Sequence, residues 1–222
     1  MTEVSPAERT VGQLIADAIK LYGHRFWFGL GLGIPAAAFT IGASFLDGGA
    51  RIGWGVVVGP FALALSYVWA VTLATDARDA RGRALLVGAV AFLPLAASRV
   101  LVFTGVYFVA LAWFALLGLA VPSVLVEGRG LRDALQHGFR LARADFVHAF
   151  GSLAALAIVY FLSRTVLLFL LRTQSDNAIR TAGFLADLVL SPLLFVGAAM
   201  LFVDQAARVR SSSASTSTTT PA

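Results

Sequence analysis

Two opposite charges lie inside long apolar runs: Arg164 within the run from Ala149 to Leu171, and Asp187 within the run from Ala182 to Val203. An ionisable group in hydrocarbon costs about 2.5–3.5 kcal/mol on insertion scales, so it needs a partner or a wet cavity. Counted from the polar turn at Asp176 and Asn177, Arg164 lies 12 residues back and Asp187 lies 11 residues on. This spacing puts both at similar depth on adjacent antiparallel helices. It predicts an intramembrane Arg164–Asp187 ion pair in the outer half of the membrane. Such a pair either locks two helices together or lines a path for a solute or a proton, and the locking role is the simpler of the two.

Other candidate chemistry is sparse. Glu127 closes an apolar run ahead of Gly128-Arg129-Gly130, where it is placed to cap the next helix or to pair with Arg132 or a base of the first amphipathic helix. His24, His137 and His148 are isolated, with no His-x-x-x-His or Glu-x-x-His pair, so no metal site is expected. Asp76 and Asp79 share a loop with Arg78 and Arg81 and read as a solvated turn. The chain has no cysteine, which excludes disulfides and thiolate chemistry. It has no Gly-x-Ser-x-Gly elbow and no phosphate-binding loop. No catalytic residue and no cofactor is expected, and the chain does not read as an enzyme.

Composition dictates the elements that must hold these residues. Hydrophobic residues make up 59% and charged residues 13%, with a mean hydropathy of +0.83. Soluble domains run nearer half and a quarter. The expected fold is an all-α polytopic membrane bundle of about six transmembrane helices plus two interfacial amphipathic helices. One integral membrane domain covers residues 10–210, between a polar N-terminal tail at 1–9 and a disordered Ser/Thr-rich tail at 211–222. The spans run about Phe26 to Phe45, Trp54 to Thr75, two within Ala84 to Val126, Ala149 to Leu171, and Ala182 to Val203. For 84–126 the alternative is one long span plus an interfacial segment. Val11, Leu14, Ile15, Ala18 and Tyr22 recur at helical spacing, as do Leu131, Leu135, Gly138, Ala142 and Phe146, which marks the two amphipathic helices.

The net charge of +5 is carried almost wholly by arginine. With six spans, one side carries Arg9, Lys20, Arg25, Arg78, Arg81, Arg83, Arg129, Arg132, Arg140, Arg143, Arg208 and Arg210. The other carries Arg51, Arg99, Arg172 and Arg180. That bias of twelve to four puts both termini in the cytoplasm of a cell (plasma, inner) membrane protein. The first 25 residues lack the layout of a cleavable signal, so the first span reads as an uncleaved anchor. Arg129, Arg132, Arg140 and Arg143 are candidate contacts for anionic lipid headgroups, and Arg99 is placed to snorkel outward. Membrane lipids are the expected partners, with a homo-oligomer or another membrane protein also open. The charges flank apolar runs instead of forming one basic face, which argues against nucleic acid.

The two amphipathic helices echo each other at an offset of 120. Ile15 matches Leu135, Ile19-Lys20-Leu21 matches Phe139-Arg140-Leu141, and Phe26 matches Phe146. Each copy precedes a pair of spans whose second member holds a small residue before proline, Gly59-Pro60 and Ser191-Pro192. A parallel repeat is one reading, and shared lead-in spacing is the other. Pro35, Pro60, Pro94, Pro122 and Pro192 fall within apolar runs and read as static kinks or as broken helices around a site. Gly29 with Gly33, and Gly55 with Gly59, give small-xxx-small spacing for close helix approach.

Pro122, Val124-Leu125-Val126-Glu127-Gly128, Ala134, Leu141 and Phe146 together resemble the membrane domain found ahead of some glycerophosphoryl diester phosphodiesterases and in stand-alone bacterial membrane proteins. The helix at Leu14 to Tyr22 with Phe26, and the end at Pro192 and Asp204 to Arg208, are similar to that family too. The likeness covers about residues 10 to 210. The chain departs at Gly138, where a Ser or Thr is usual, and at Ala144-Asp145, where Arg-Gly is usual. The resemblance implies a multi-span helical protein of unsettled role. The family's enzyme activity resides in a separate soluble domain that this sequence does not include. The expected function is a non-enzymatic membrane module with a structural, regulatory or lipid-associated role. The alternative is a small transporter or channel with a polar path at Arg164 and Asp187.

Overall fold

The computed structural model describes residues 10–75, 77, 80–101 and 104–217, with side chains described except at 99–106, 144, 176 and 210–217. The described residues form nine helices and no strand: α1 Val11–His24, α2 Phe26–Ala43, α3 Gly48–Thr75, α4 Arg81–Leu101, α5 Thr104–Leu117, α6 Ala120–Glu127, α7 Leu131–Ala144, α8 Phe146–Leu170 and α9 Asp176–Ser217. Six segments are long and apolar enough to cross a membrane: α2, α3, α4, α5 with α6, α8 and α9. The fold is an all-α polytopic bundle, and residues 84–126 make two spans instead of one.

Local chemistry sets the helix boundaries. Thr10 opens α1 with a capping box: its hydroxyl accepts from the Gln13 N–H at 3.3 Å, and Gln13 Oε1 accepts from the Thr10 N–H at 2.8 Å. Gly128, at φ 65°, ends α6 in the left-handed conformation that glycine adopts without penalty. A tight turn at Gly118 separates α5 from α6, with the Val121 N–H donating to the Gly118 carbonyl at 3.3 Å. Pro122 therefore sits in the first turn of α6, where its missing N–H costs nothing. The helical backbone of α9 runs on through Ser217, into the segment expected to be disordered. The turn expected at 47–51 is shorter than anticipated, since α3 already begins at Gly48.

The backbone carries the echo at offset 120. α1 and α7 each have 14 residues, and each ends at one non-helical residue before a span: Arg25 at φ −120°, ψ 45° and Asp145 at φ −145°, ψ 67°. Two short helices with the same bend into the same kind of span are what a parallel repeat of helix, span, span produces.

The core is an aromatic group at the centre of the bundle. Tyr67 of α3, Phe92 of α4, Phe114 of α5 and Phe195 of α9 are all fully buried. Phe92 and Phe114 lie 4.5 Å apart between ring centroids, and the Tyr67 hydroxyl donates to the Ala198 carbonyl at 3.4 Å. Glycines let the helices close around it. A Cβ at Gly33 would stand 2.8 Å from the Leu188 carbonyl carbon of α9, and one at Gly59 would stand 2.8 Å from Ala96 Cβ of α4. Both are intramolecular packing contacts. Gly138 likewise has no room for a side chain, because a Cβ there would meet Ala120 Cα at 2.8 Å where α7 crosses α6. That gives a physical reason for glycine where the resemblance expects Ser or Thr.

Candidate functional site

Arg164 and Asp187 meet on the wall of a cavity of about 750 Å³. It lies towards the turns that join α2 to α3 and α8 to α9, the end of the bundle away from α1 and α7. Arg164 Nε stands 3.1 Å from Asp187 Oδ1. Tyr160, one helical turn before Arg164 on the same face of α8, donates its hydroxyl to the same oxygen. Asp187 is fully buried, and its second oxygen, Oδ2, has no partner among the described residues. Nearly a third of the Arg164 side chain remains exposed. The guanidinium thus spends its Nε–H on the pair, and its two terminal nitrogens have no partner among the described residues.

The seat of Asp187 depends on its surroundings along α9. Pro192 supplies no N–H for the Leu188 carbonyl, and Gly33 brings α2 directly against that carbonyl. The carboxylate one residue earlier is thereby held in the interior. Two other hydroxyls on the cavity wall are committed within their own helices. Thr40 donates to the Ala36 carbonyl at 3.1 Å, and Ser98 donates to the Leu95 carbonyl at 2.8 Å. Arg51, at the start of α3, also lines the cavity. The sequence marked Arg51 only as a charge of the outer side, because nothing in its neighbours ties it to Arg164. The remaining wall is mostly apolar and includes Phe39, Leu111, Ala157 and Phe161.

A second polar network sits at the opposite end. The buried Asp204 of α9 receives His148 Nε2 at 2.9 Å and Arg208 Nε at 3.1 Å on Oδ2. Arg208 also reaches Asp145 at 3.4 Å, and Asp145 caps α8 by accepting from the His148 N–H at 3.2 Å. This network ties the α7–α8 bend to α9. The signal for it was present in the sequence as polar residues at the matching ends of two spans. Glu127 pairs with Arg129 and, at 3.4 Å, with His137. These partners replace Arg132 or a base of the first amphipathic helix, the partners expected from sequence, and no side chain caps α7, the other role expected of Glu127. Burial, with help from Arg129 and Arg140, holds the His137 pKa below the ordinary histidine value, against the pull of Glu127.

The four candidate headgroup arginines gather around α7. Arg129 is engaged by Glu127, Arg143 lies 5.5 Å from the Phe139 ring centroid, and Arg132 and Arg140 are exposed. The Arg99 side chain, and Asp76, Arg78 and Asp79, lie outside the described residues. The aromatic core stands between the two polar regions, and none of its four rings lines the cavity. No protein-family model, curated protein or solved structure matches this chain.

Proposed function

We propose that this chain is a non-catalytic membrane module that holds a membrane-borne amphiphile in the cavity beside Arg164 and Asp187. One observation carries the reading: a cavity of ligand size with largely apolar walls and a charged group in its interior. Phe108 of α5, with Ile158 and Leu162 of α8, lines it and is also exposed on the outer surface of the bundle. A molecule dissolved in the bilayer would reach the cavity through that side. In the orientation favoured by the arginine bias, both termini are cytoplasmic and the membrane is the plasma membrane. The basic α7 then rests on anionic headgroups of the inner leaflet, and the cavity opens in the outer leaflet. The resemblance to a phosphodiesterase-associated membrane domain fits a module of this kind.

Native mass spectrometry of the purified protein tests the reading. The wild type should carry a co-purified amphiphile, and Ala154→Trp, which fills the cavity from a half-buried wall position, should lose it. Equal retention by both would contradict it. A transporter reading draws on the same charged pair, but it requires the aromatic core to part. Flux through proteoliposomes that is lost on Asp187→Asn would favour it.

A further inference from the structure

We infer that the cavity's ligand is a single-chain amphiphile with an anionic head, held between Arg51 and Arg164. This rests on the cavity being an amphiphile site. Among the described residues, three charged side chains line it, Arg51, Arg164 and Asp187, which leaves one positive charge in excess. Asp187 uses one oxygen for both Tyr160 and Arg164 Nε. The two terminal nitrogens of Arg164 and the whole guanidinium of Arg51 have no partner among the described residues.

Unpaired guanidinium beside apolar walls recruits an anion, because a charge-assisted hydrogen bond strengthens as water is excluded. A cation would meet the excess positive charge. A neutral lipid would leave Arg51 and the terminal nitrogens of Arg164 without an anion. A small free anion would leave the walls around Leu111 and Phe161 unfilled. The volume, about 750 Å³, falls in the range of sites for one drug-sized ligand, which suits one chain and a compact head. Carboxylate and phosphate share the needed chemistry.

Asp187 then acts as a competitor as well as an anchor. It draws Arg164 towards itself, so its charge weakens the hold on the ligand's head. Neutralising Asp187 and neutralising Arg164 should therefore move affinity in opposite directions. General damage to the fold would move both the same way.

The test measures binding to the full chain in nanodiscs of zwitterionic lipid, with oleate, lysophosphatidate, oleyl alcohol, acetate and inorganic phosphate as probes. Oleate and lysophosphatidate should bind, with oleyl alcohol about tenfold weaker, as expected for loss of a charge-assisted bond. Arg164→Gln should weaken oleate by about tenfold. Arg164→Lys should retain most of the affinity, and Asp187→Asn should raise it. Should Arg164→Gln fail to fold, the Lys and Asn variants carry the comparison. Oleyl alcohol binding as tightly as oleate would overturn the anionic assignment and leave the cavity intact. Acetate or phosphate displacing oleate at similar concentration would reassign the site to a free anion and overturn the proposal. Oleate binding that survives Ala154→Trp unchanged would sink the cavity reading itself.

Discussion

Asp187 keeps about 1% of its side chain exposed and Arg164 keeps 31%, and this asymmetry sets what each substitution does. Removing the arginine strands a carboxylate in the interior. Removing the negative charge leaves an amide that still accepts from Tyr160. Arg164→Gln should therefore cost about 3 kcal/mol, the lower end for breaking a buried pair, given its partial exposure. Asp187→Asn should cost about 1 kcal/mol. Thermal unfolding in detergent measures both, and unchanged melting temperatures in both variants would rule out a structural pairing. The pair was legible because both charges are counted from one turn. Tyr160 was not singled out, although its spacing of four from Arg164 was visible, because one tyrosine in an aromatic-rich span carries no mark of its own. His137 offers a separate check at this scale. Its depressed pKa means that the folded state resists protonation, so stability is fully present above the ordinary value of about 6.5 and falls as pH drops through that window. An NMR titration should place His137 below the ordinary value. Arg140→Gln should move it up and Glu127→Gln further down, and a shift in the reverse sense in either variant would refute this electrostatic account.

At the scale of elements, the α2–α9 crossing is fixed by a bare Cα against a carbonyl. Backbone cannot swing aside as a flexible side chain can, so Gly33→Ala should cost about 1–3 kcal/mol, the usual range for overpacking. Gly31→Ala, two residues away and facing nothing within 4 Å, should leave stability unchanged or slightly raised. Similar melting temperatures for the two variants would contradict the crossing. The small-xxx-small spacing announced close approach at Gly33 and Gly59 but could not name α9 or α4 as the partner. Glycine reports a need for space and says nothing about which surface uses it. The two amphipathic helices were legible from their 3.6-residue period, and Glu127-Gly128 marked where the fourth span closes. The turn at Gly118 was missed because it falls inside an unbroken apolar run, where hydropathy is blind to a change of direction. The matched bends at Arg25 and Asp145 are a backbone feature that the similar residues at offset 120 could not show.

The whole molecule is two polar ends separated by an aromatic core. One end gathers His148, Asp204, Arg208 and the arginines of α7, and the other holds the cavity. Span number was readable because membrane insertion depends on composition over about 20 residues. The cavity was not readable, because it lies between helices distant in sequence, and Arg51 joins Arg164 only through the tertiary fold. A structure determined in a lipid bilayer, with lipid added back after purification, tests the account most directly. The account predicts elongated density between α5 and α8, its head against Arg164 and Arg51, with the Arg164–Asp187 contact kept. A cavity collapsed onto its own side chains, or holding only water, would contradict it.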